Sequence, residues 1–136
     1  MKVLIDTDVI LDFFYDRKPF SNEATQLISL CEKGVVQGFV TTVMLSNIYY
    51  LLRKTAKHDK VIESLKVLLN FMHVAVTNKL AVENALNSSF KDFEDALQNY
   101  SAAQIEDLNI VITRNVKDYK TSSLAVLTPE MFLKSL

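Results

Sequence analysis

Glycine and proline are scarce in this chain, with two residues of each among 136. An all-β sandwich or barrel needs many tight turns, and such turns usually draw on both residue types. The scarcity therefore argues against those folds and favours a chain with long helices.

Cysteine is rarer still. Cys31 is the one cysteine of the chain and therefore cannot form an internal disulfide. A lone thiol within an apolar helical pattern is typical of a reducing compartment, so we expect a cytoplasmic protein. Because the N-terminal apolar run meets Asp6 after five residues, we expect no signal peptide. No apolar run approaches the ~20 residues of a bilayer-spanning helix, so we expect no membrane association.

A large excess of either charge is also absent, since 15 Lys and Arg residues stand against 16 Asp and Glu residues. The net charge of −1 excludes a uniformly basic nucleic-acid-binding protein, but a locally basic face is still possible. Hydrophobic residues make up 49% of the chain and the mean hydropathy is +0.14. This composition excludes an intrinsically disordered chain and supplies a core for one domain over residues 1–136.

Short apolar runs alternate with helical patterns along the chain. The predicted strands are Val3–Ile5, Val36–Val40, His73–Val76, Asn109–Ile112 and Leu124–Leu127. The predicted helices are Val9–Tyr15, a helix capped by Ser21 that runs to Lys33, Val43–Lys54, His58–Phe71, a helix capped by Thr77 that runs to Leu86, a helix capped by Asp92 that runs to Asp107, and a C-terminal helix after Thr128-Pro129-Glu130. Strands of this length between helices predict an α/β fold with a mainly parallel sheet.

Acidic residues gather where predicted strands end and where one helix begins. Asp6 and Asp8 follow the first strand, Asp118 lies just beyond the fourth, and Asp92 and Asp95 lie three apart at a helix start. In an open parallel sheet, ligands bind at the carboxyl ends of the strands. Carboxylates that converge there repel one another, so a shared pocket implies a cation. Oxygen ligands without nearby His or Cys favour Mg²⁺ or Mn²⁺.

Some of these acidic residues also have purely structural explanations. Asp92 can be an ordinary N-cap, and Asp12 can be a solvated acid or the partner of an arginine. The run Asp6-Thr7-Asp8-Val9-Ile10 also resembles the signature of haloacid-dehalogenase hydrolases. That family adds a downstream lysine and an acidic pair in a longer chain with a cap, which argues against it here.

The densest basic stretch lies in the middle of the chain. It comprises Arg53, Lys54, Lys57, His58 and Lys60, and we predict that its Arg and Lys residues bind RNA. Tyr49 and Tyr50, just before it, could stack on bases. The structural alternatives are a solvated helix end for the cations and core packing for the tyrosines.

Five segments together resemble the PIN-domain family. In order they are VLIDTDVILDFF, TTVMLSNIYYLLRK, KDFEDALQNYSA, IVITRNVKDY and VLTPEMFL, and they span nearly the whole chain. The resemblance is closest to the branch whose later motifs read DFEDALQ and TRNxKDF. The family includes VapC-type toxin ribonucleases and other single-strand nucleases. It implies a three-layer α/β/α sandwich with a mainly parallel sheet and acids that hold a divalent metal.

The resemblance also assigns site residues. Asp6 takes the place of the first metal-binding aspartate of the family, and Asp95 that of the aspartate opening the later helix. Asn115 replaces an acid that many relatives carry, and Asp118 is near enough to supply the missing carboxylate. Asn47 lies where many relatives have a glutamate.

Three further residues receive supporting roles. Asp8 and Asp92 could compensate for the two amides through water-mediated contacts with the metal. Thr113 is either a hydrogen-bond partner of a metal ligand or a cap of its strand.

Two hypotheses of function follow. The first is a ribonuclease that hydrolyses single-stranded RNA with Mg²⁺ or Mn²⁺ on Asp6, Asp95 and Asp118, and that has a cognate antitoxin if it is a toxin. The second is a PIN-like module that binds RNA or a protein partner without cleaving, motivated by Asn47 and Asn115. We also predict a homodimer, because apolar helical residues are abundant for a chain of this size, namely Phe13, Phe14, Tyr49, Tyr50 and Phe71.

Overall fold

The computed structural model describes residues 1–136 and contains five strands and seven helices. The strands are β1 (Lys2–Ile5), β2 (Gln37–Thr41), β3 (Met72–Ala75), β4 (Leu108–Ile112) and β5 (Ala125–Leu127). The helices are α1 (Thr7–Tyr15), α2 (Ser21–Glu32), α3 (Thr42–Leu52), α4 (His58–Leu69), α5 (Lys79–Leu86), α6 (Phe93–Ala103) and α7 (Pro129–Lys134). A short 3₁₀ turn covers Val116–Tyr119.

The five strands form one parallel sheet in the order β3-β2-β1-β4-β5. The chain steps outward from β1 to β2 to β3 and then crosses back to β4 on the other side of β1. Because parallel crossovers are right-handed, the outward and return steps place their helices on opposite faces of the sheet. The predicted α/β sandwich with a parallel central sheet is therefore confirmed, and each predicted strand is correct to within one residue at either end.

The direction of the connections reverses between β1 and β4. In open α/β sheets a crevice forms at the carboxyl ends of the two strands that flank such a reversal, and ligands bind there. Here the crevice lies between Asp6, which follows β1, and Thr113, which follows β4.

The core consists of aliphatic side chains on both faces of the sheet. Fully buried members include Leu4, Ile5, Leu27, Ile48 and Ile112. None of the seven helices has both the length and the apolar content that a membrane span requires.

Gly38 in β2 allows the sheet and α2 to approach closely. A Cβ atom at this position would lie 2.7 Å from Cys31 Sγ and 2.9 Å from Met72 Sδ. Cys31 is buried beneath this contact, and burial raises the pKa of its thiol to about 11.

Two predicted caps are wrong. Ser21 is not an N-cap but the first residue of α2, and Phe20 precedes it without a side-chain capping bond. Asn78, not Thr77, caps α5, with Asn78 Oδ1 accepting from Ala81 N at 3.0 Å. The Thr77 hydroxyl instead lies 2.8 Å from the hydroxyl of Ser101 in α6.

The helix predicted to run from Asp92 to Asp107 is shorter than expected. Asp92 caps it as predicted, but it ends at Ala103. Asp107 adopts a left-handed backbone conformation, with φ at 67°, and β4 begins at the next residue. The chain must reverse within a few residues to enter the sheet, and this tertiary requirement ends the helix early.

Candidate active site

Asp6 lies at the junction of β1 and α1 and is 7% exposed. Its Oδ1 accepts a hydrogen bond from Thr7 N at 2.8 Å, which caps α1. Its Oδ2 lies 2.9 Å from the Thr113 hydroxyl and 3.4 Å from the Tyr119 hydroxyl. The carboxyl group is therefore held in place by donors from β1–α1, from the end of β4 and from the following 3₁₀ turn.

Asp8 lies in the first turn of α1 and faces the end of β4. Its Oδ2 accepts from Arg114 N and from Asn115 Nδ2, both at 3.1 Å. Its Oδ1 is buried and has no hydrogen-bond partner. One carboxylate oxygen is thus fixed by the β4 loop and the other is unpartnered.

The start of α6 brings a second group of acids to the same crevice. Asp92 Oδ1 accepts from Asp95 N at 2.9 Å and caps the helix. Asp95 follows one turn later, half-buried, and Glu94 between them is exposed. Asn47 in α3 donates its side-chain N–H to Glu94 Oε1, so α3 and α6 are joined at this edge.

These elements enclose a cavity of about 380 Å³, hereafter the acidic cavity. Its lining residues are Asp6, Thr7, Asp8, Leu11, Arg17, Asp92, Glu94, Asp95, Gln98, Arg114, Asn115 and Asp118. The structure therefore brings together Asp6, Asp95 and Asp118, although they are far apart in sequence.

Two of the residues predicted to support the metal do not line this cavity. Asn47, which lies where many relatives have a glutamate, directs its amide to Glu94, which does line the cavity. Thr113 is fully buried beneath the cavity, where its hydroxyl supports Asp6 and accepts from Asn115 N at 3.0 Å. Both residues therefore contact the lining acids rather than the cavity itself.

Burial and mutual repulsion raise the pKa values of the cavity acids. Burial, reinforced by the charge of Asp8, raises the pKa of Asp6 to about 7 despite its three hydrogen-bond donors. Burial, followed by the charges of Asp6, Asp92, Asp118 and Glu94, raises the pKa of Asp95 to about 7. The pKa of Asp8 is also raised, mainly by burial. A positive charge in the cavity would reverse these shifts.

Two arginines line the cavity opposite the start of α6, and sequence reasoning did not assign them to the site. Arg114 donates to Asp12 Oδ2 through Nε at 2.7 Å and to Oδ1 through Nη2 at 3.2 Å, and Arg17 Nε lies 2.8 Å from Oδ1. Asp12 is 1% exposed, so of its two predicted explanations the arginine pairing is confirmed. The sequence carried one signal that Asp12 belongs near the site: Asp8 and Asp12 are four residues apart and therefore lie on one face of the helix.

Gln98 and Tyr119 were also missed. The buried Tyr119 hydroxyl lies 2.7 Å from Gln98 Oε1, and Gln98 lines the cavity one turn after Asp95. Burial and the neighbouring acids raise the pKa of Tyr119, so it stays a neutral hydrogen-bond donor. The i, i+3 spacing of Asp95 and Gln98 places both on one helical face.

The predicted RNA-binding stretch lies away from the cavity. Since α3 begins at the carboxyl edge of the sheet and is 11 residues long, Arg53 and Lys54 follow it about 16 Å from that edge. Lys57 and Lys60 lie at the start of α4, and none of the four lines the acidic cavity. The Tyr49 hydroxyl hydrogen-bonds with His58 Nδ1 at 2.8 Å. Tyr50 is 67% exposed, which excludes core packing for that residue.

The donor chemistry of the cavity fits a hard divalent cation. Its acids offer oxygen atoms only, and the unpartnered Oδ1 of Asp8 is buried in the same wall. No three Asp, Glu, His or Cys side chains are arranged closely enough to hold a metal ion together. The cavity therefore fits a divalent cation in the type and charge of its ligands, but these ligands are not arranged in coordination geometry.

Known proteins resemble this chain over most of its length. The PIN domain family matches residues 2–117. Ribonuclease VapC1 of Aquifex aeolicus is 29% identical over an alignment of 136 positions that covers 96% of this chain and 92% of that protein.

Solved structures resemble it in fold. A toxin–antitoxin complex from Klebsiella pneumoniae gives a TM-score of 0.68 at 23% identity, over 93% of this chain and 97% of the other. VapC20 of Mycobacterium tuberculosis, described as a sarcin–ricin loop cleaving toxin, gives a TM-score of 0.60 at 12% identity, over 80% and 86%. The fold, the crevice of acids between β1 and β4, and the family match over 2–117 agree, and the chain belongs to the PIN domain family as a homologue of VapC ribonucleases.

Proposed function

We propose that this protein is a divalent-metal-dependent endoribonuclease that hydrolyses single-stranded RNA. The observation that carries the proposal is the acidic cavity, which Asp6, Asp95 and Asp118 all line. The similarity to ribonuclease VapC1 supports nuclease chemistry on this scaffold.

Asp6, Asp95 and Asp118 are the proposed metal ligands, with Asp8 and Asp92 in support. These carboxylates would hold a Mg²⁺ or Mn²⁺ ion, which would lower the pKa of water and offset charge on the attacked phosphate. The residues around these acids fix their orientation. Thr113 and Tyr119 hold the Asp6 carboxyl group from below.

The two amides that replace family acids have a supporting role in this proposal. Asn115 donates to Asp8 and Asn47 donates to Glu94, so each orients an acid at the rim. Asp12 engages both arginines, so their charge is partly neutralised before it reaches the cavity acids. The cavity thus keeps a negative potential that attracts a cation.

The proposed biological role is that of the toxin in a toxin–antitoxin pair. The Klebsiella pneumoniae structure is described as a toxin–antitoxin complex, and the shared fold supports a cognate antitoxin for this chain. A small protein encoded beside this gene that co-purifies with the chain and inhibits its ribonuclease activity would support the role. An adjacent gene product that neither binds nor inhibits would contradict it.

A second candidate function is a PIN-like module that binds RNA or a protein partner without cleaving. Asn47 and Asn115 favour it, because an amide can offer a carbonyl oxygen to a metal but adds no negative charge. Fewer negative charges mean weaker metal binding, which would leave the fold intact and the chemistry slow.

One experiment separates the two functions. A panel of single-stranded RNAs is incubated with wild type and Asp6→Asn in Mg²⁺, in Mn²⁺ and in EDTA. The ribonuclease predicts cleavage by wild type in metal only and a loss of at least 100-fold in the variant. Equal behaviour of the two proteins, with RNA bound by both, supports the binding module instead.

The homodimer is also part of the proposal. Four of the five apolar residues that motivated it, namely Phe13, Phe14, Tyr49 and Phe71, are half-buried against the core. Tyr50 is the exposed one, and Val67 and Leu69 on the neighbouring α4 are also exposed. Light scattering at micromolar concentration tests the assembly, and a monomeric mass would contradict it.

A further inference from the structure

A second depression adjoins the acidic cavity and carries the opposite charge. It has a volume of about 290 Å³ and is hereafter the lysine groove. Its lining residues are Ser89, Phe90, Lys91, Asp92, Lys117, Asp118, Lys120 and Thr121. Asp92 and Asp118 line both depressions, so the two are adjacent.

The three lysines of the groove are available for a ligand. Lys91, Lys117 and Lys120 are exposed and make no ion pair within 4.0 Å and no side-chain hydrogen bond, although two acids line the same groove. They come from two different loops, one before α6 and one after β4, that meet at the carboxyl edge of the sheet. The fold therefore gathers three free positive charges next to the acids.

The groove is joined to the core through Phe90. Phe90 is its one apolar lining residue and packs edge-on against Tyr100 and Tyr119, with ring centroids 6.0 and 5.9 Å away. Tyr119 in turn contacts Asp6. The position of the groove is thus coupled to the position of the cavity acids.

We infer that the lysine groove binds the sugar-phosphate backbone of single-stranded RNA next to the scissile phosphate. The inference rests on the proposed ribonuclease function and adds the path of the substrate to it. A polyanion that must place one phosphate against a wall of acids needs cations on the neighbouring phosphates, and this groove supplies three of them at the shared wall. The stretch Arg53, Lys54, Lys57 and Lys60 has comparable charge but lies at the far end of α3.

The test compares three variants that each remove three positive charges. They are Lys91→Gln/Lys117→Gln/Lys120→Gln in the groove, Lys54→Gln/Lys57→Gln/Lys60→Gln in the middle stretch, and Lys33→Gln/Lys66→Gln/Lys79→Gln as the control. The control lysines are exposed and line neither depression. Equal changes in net charge separate local contacts from the overall field of the protein.

The measurement is steady-state cleavage of a single-stranded RNA in Mn²⁺ between 50 and 300 mM KCl. We expect the groove variant to raise KM by at least tenfold at low salt while kcat stays within about twofold. The slope of log KM against log salt should fall by about 2, since each phosphate contact on a single strand contributes about 0.7. The control should stay within about threefold of wild type in KM.

Other outcomes overturn the inference. Equal changes of KM in all three variants would assign RNA binding to the overall electrostatic field of the protein. A rise in KM only in the variant of Lys54, Lys57 and Lys60 would assign RNA binding to the middle stretch. If wild type is active and the groove variant has an unchanged KM, the groove does not bind RNA, and a protein partner becomes the alternative ligand. A wild type without any ribonuclease activity would instead remove the proposed function, and the inference with it.

Discussion

Asp12 holds in place the two arginines that line the acidic cavity. Its nearly inaccessible carboxylate pairs with Arg17 and Arg114, and the Arg114 guanidinium also lies over the Phe20 ring at 4.0 Å from its centroid. Removing one partner of a buried ion pair leaves uncompensated charge, which is more costly than the pair itself is favourable.

We predict that Asp12→Asn destabilises the protein by about 2–3 kcal/mol, below the usual range for buried pairs because both arginines keep some solvent contact. Asp16→Asn is the matched control, since Asp16 pairs with Lys18 on the surface, and we expect it to leave stability unchanged. Urea unfolding measures both variants. Equal effects would show that Asp12 is not a structural anchor.

A second prediction concerns Asp95. Asp95→Asn should abolish metal-dependent cleavage, while the metal-free melting temperature stays level or rises, because repulsion from four neighbouring acids is removed. The increase in melting temperature that Mn²⁺ produces should shrink, since it follows the logarithm of free metal over its dissociation constant. Melting curves of both proteins with and without Mn²⁺ measure this. An undiminished Mn²⁺ effect in the variant would remove Asp95 from the proposed ligands.

At the scale of elements, the start of α6 combines two roles. Asp92 caps the helix through its Oδ1 and also belongs to both the acidic cavity and the lysine groove. A cap needs a hydrogen-bond acceptor, which asparagine also provides, whereas an electrostatic role needs the charge.

We predict that Asp92→Ala lowers the free energy of unfolding by about 1 kcal/mol and that Asp92→Asn leaves it nearly unchanged. Chemical denaturation of the two variants in EDTA measures the cap alone. If Asp92 also supports the metal, both variants should weaken Mn²⁺ binding to a similar extent. A loss of stability in Asp92→Asn equal to that in Asp92→Ala would contradict the capping role.

Local sequence patterns predicted the elements well where capping chemistry decides the boundary. Asp92 and Thr128 act as predicted, with Thr128 Oγ1 accepting from Met131 N at 3.1 Å ahead of a helix that has Pro129 in its first turn. Ser21 and Thr77 have the same chemistry but fail as caps. Helix α2 begins at Ser21 itself, and a tertiary contact engages the Thr77 hydroxyl with Ser101. The early end of α6 was unpredictable for the same reason, since the turn at Asp107 serves the entry into β4.

The candidate site divides along a similar line. Asp6, Asp95 and Asp118 could be assigned to it because strand ends, a helix start and the family motifs mark them. Tyr119 could not, because it reaches Asp6 and Gln98 through packing between elements distant in sequence. The pattern of a single sequence shows the periodicity within one helix or strand, but it does not show how far apart two such elements lie in the fold.

At the scale of the whole molecule, the reversal of the chain between β1 and β4 concentrates acids at one edge of the sheet. Asp6 and Asp95 both have pKa values raised to about 7 from an ordinary value of 3.8. A carboxyl group with a raised pKa in the folded state contributes stability that is present below its unfolded pKa and is lost as the pH rises through its folded pKa.

We therefore predict that, in EDTA, the protein becomes less stable as the pH rises from about 4 to 7. One pKa unit corresponds to about 1.4 kcal/mol, and because Asp95 is only half-buried we expect a total loss of about 2–4 kcal/mol. Urea unfolding at pH 5 and pH 8 measures it, and the double variant Asp6→Asn/Asp95→Asn should flatten the profile. Stability that increases over this range, or an identical profile in the double variant, would contradict the prediction.

The contact of Gly38 with Cys31 and Met72 has a practical consequence for following the motions of this protein. The chain has one thiol, and that thiol is both covered and held in its unreactive protonated form. An alkylating reagent can reach it only when α2 separates from the sheet, so the rate of labelling reports how often that opening occurs. Mass spectrometry of the native protein could thus time the opening at a known place without any engineered cysteine. Because Cys31 lies outside the acidic cavity, the label would report on the fold while leaving the site chemistry untouched.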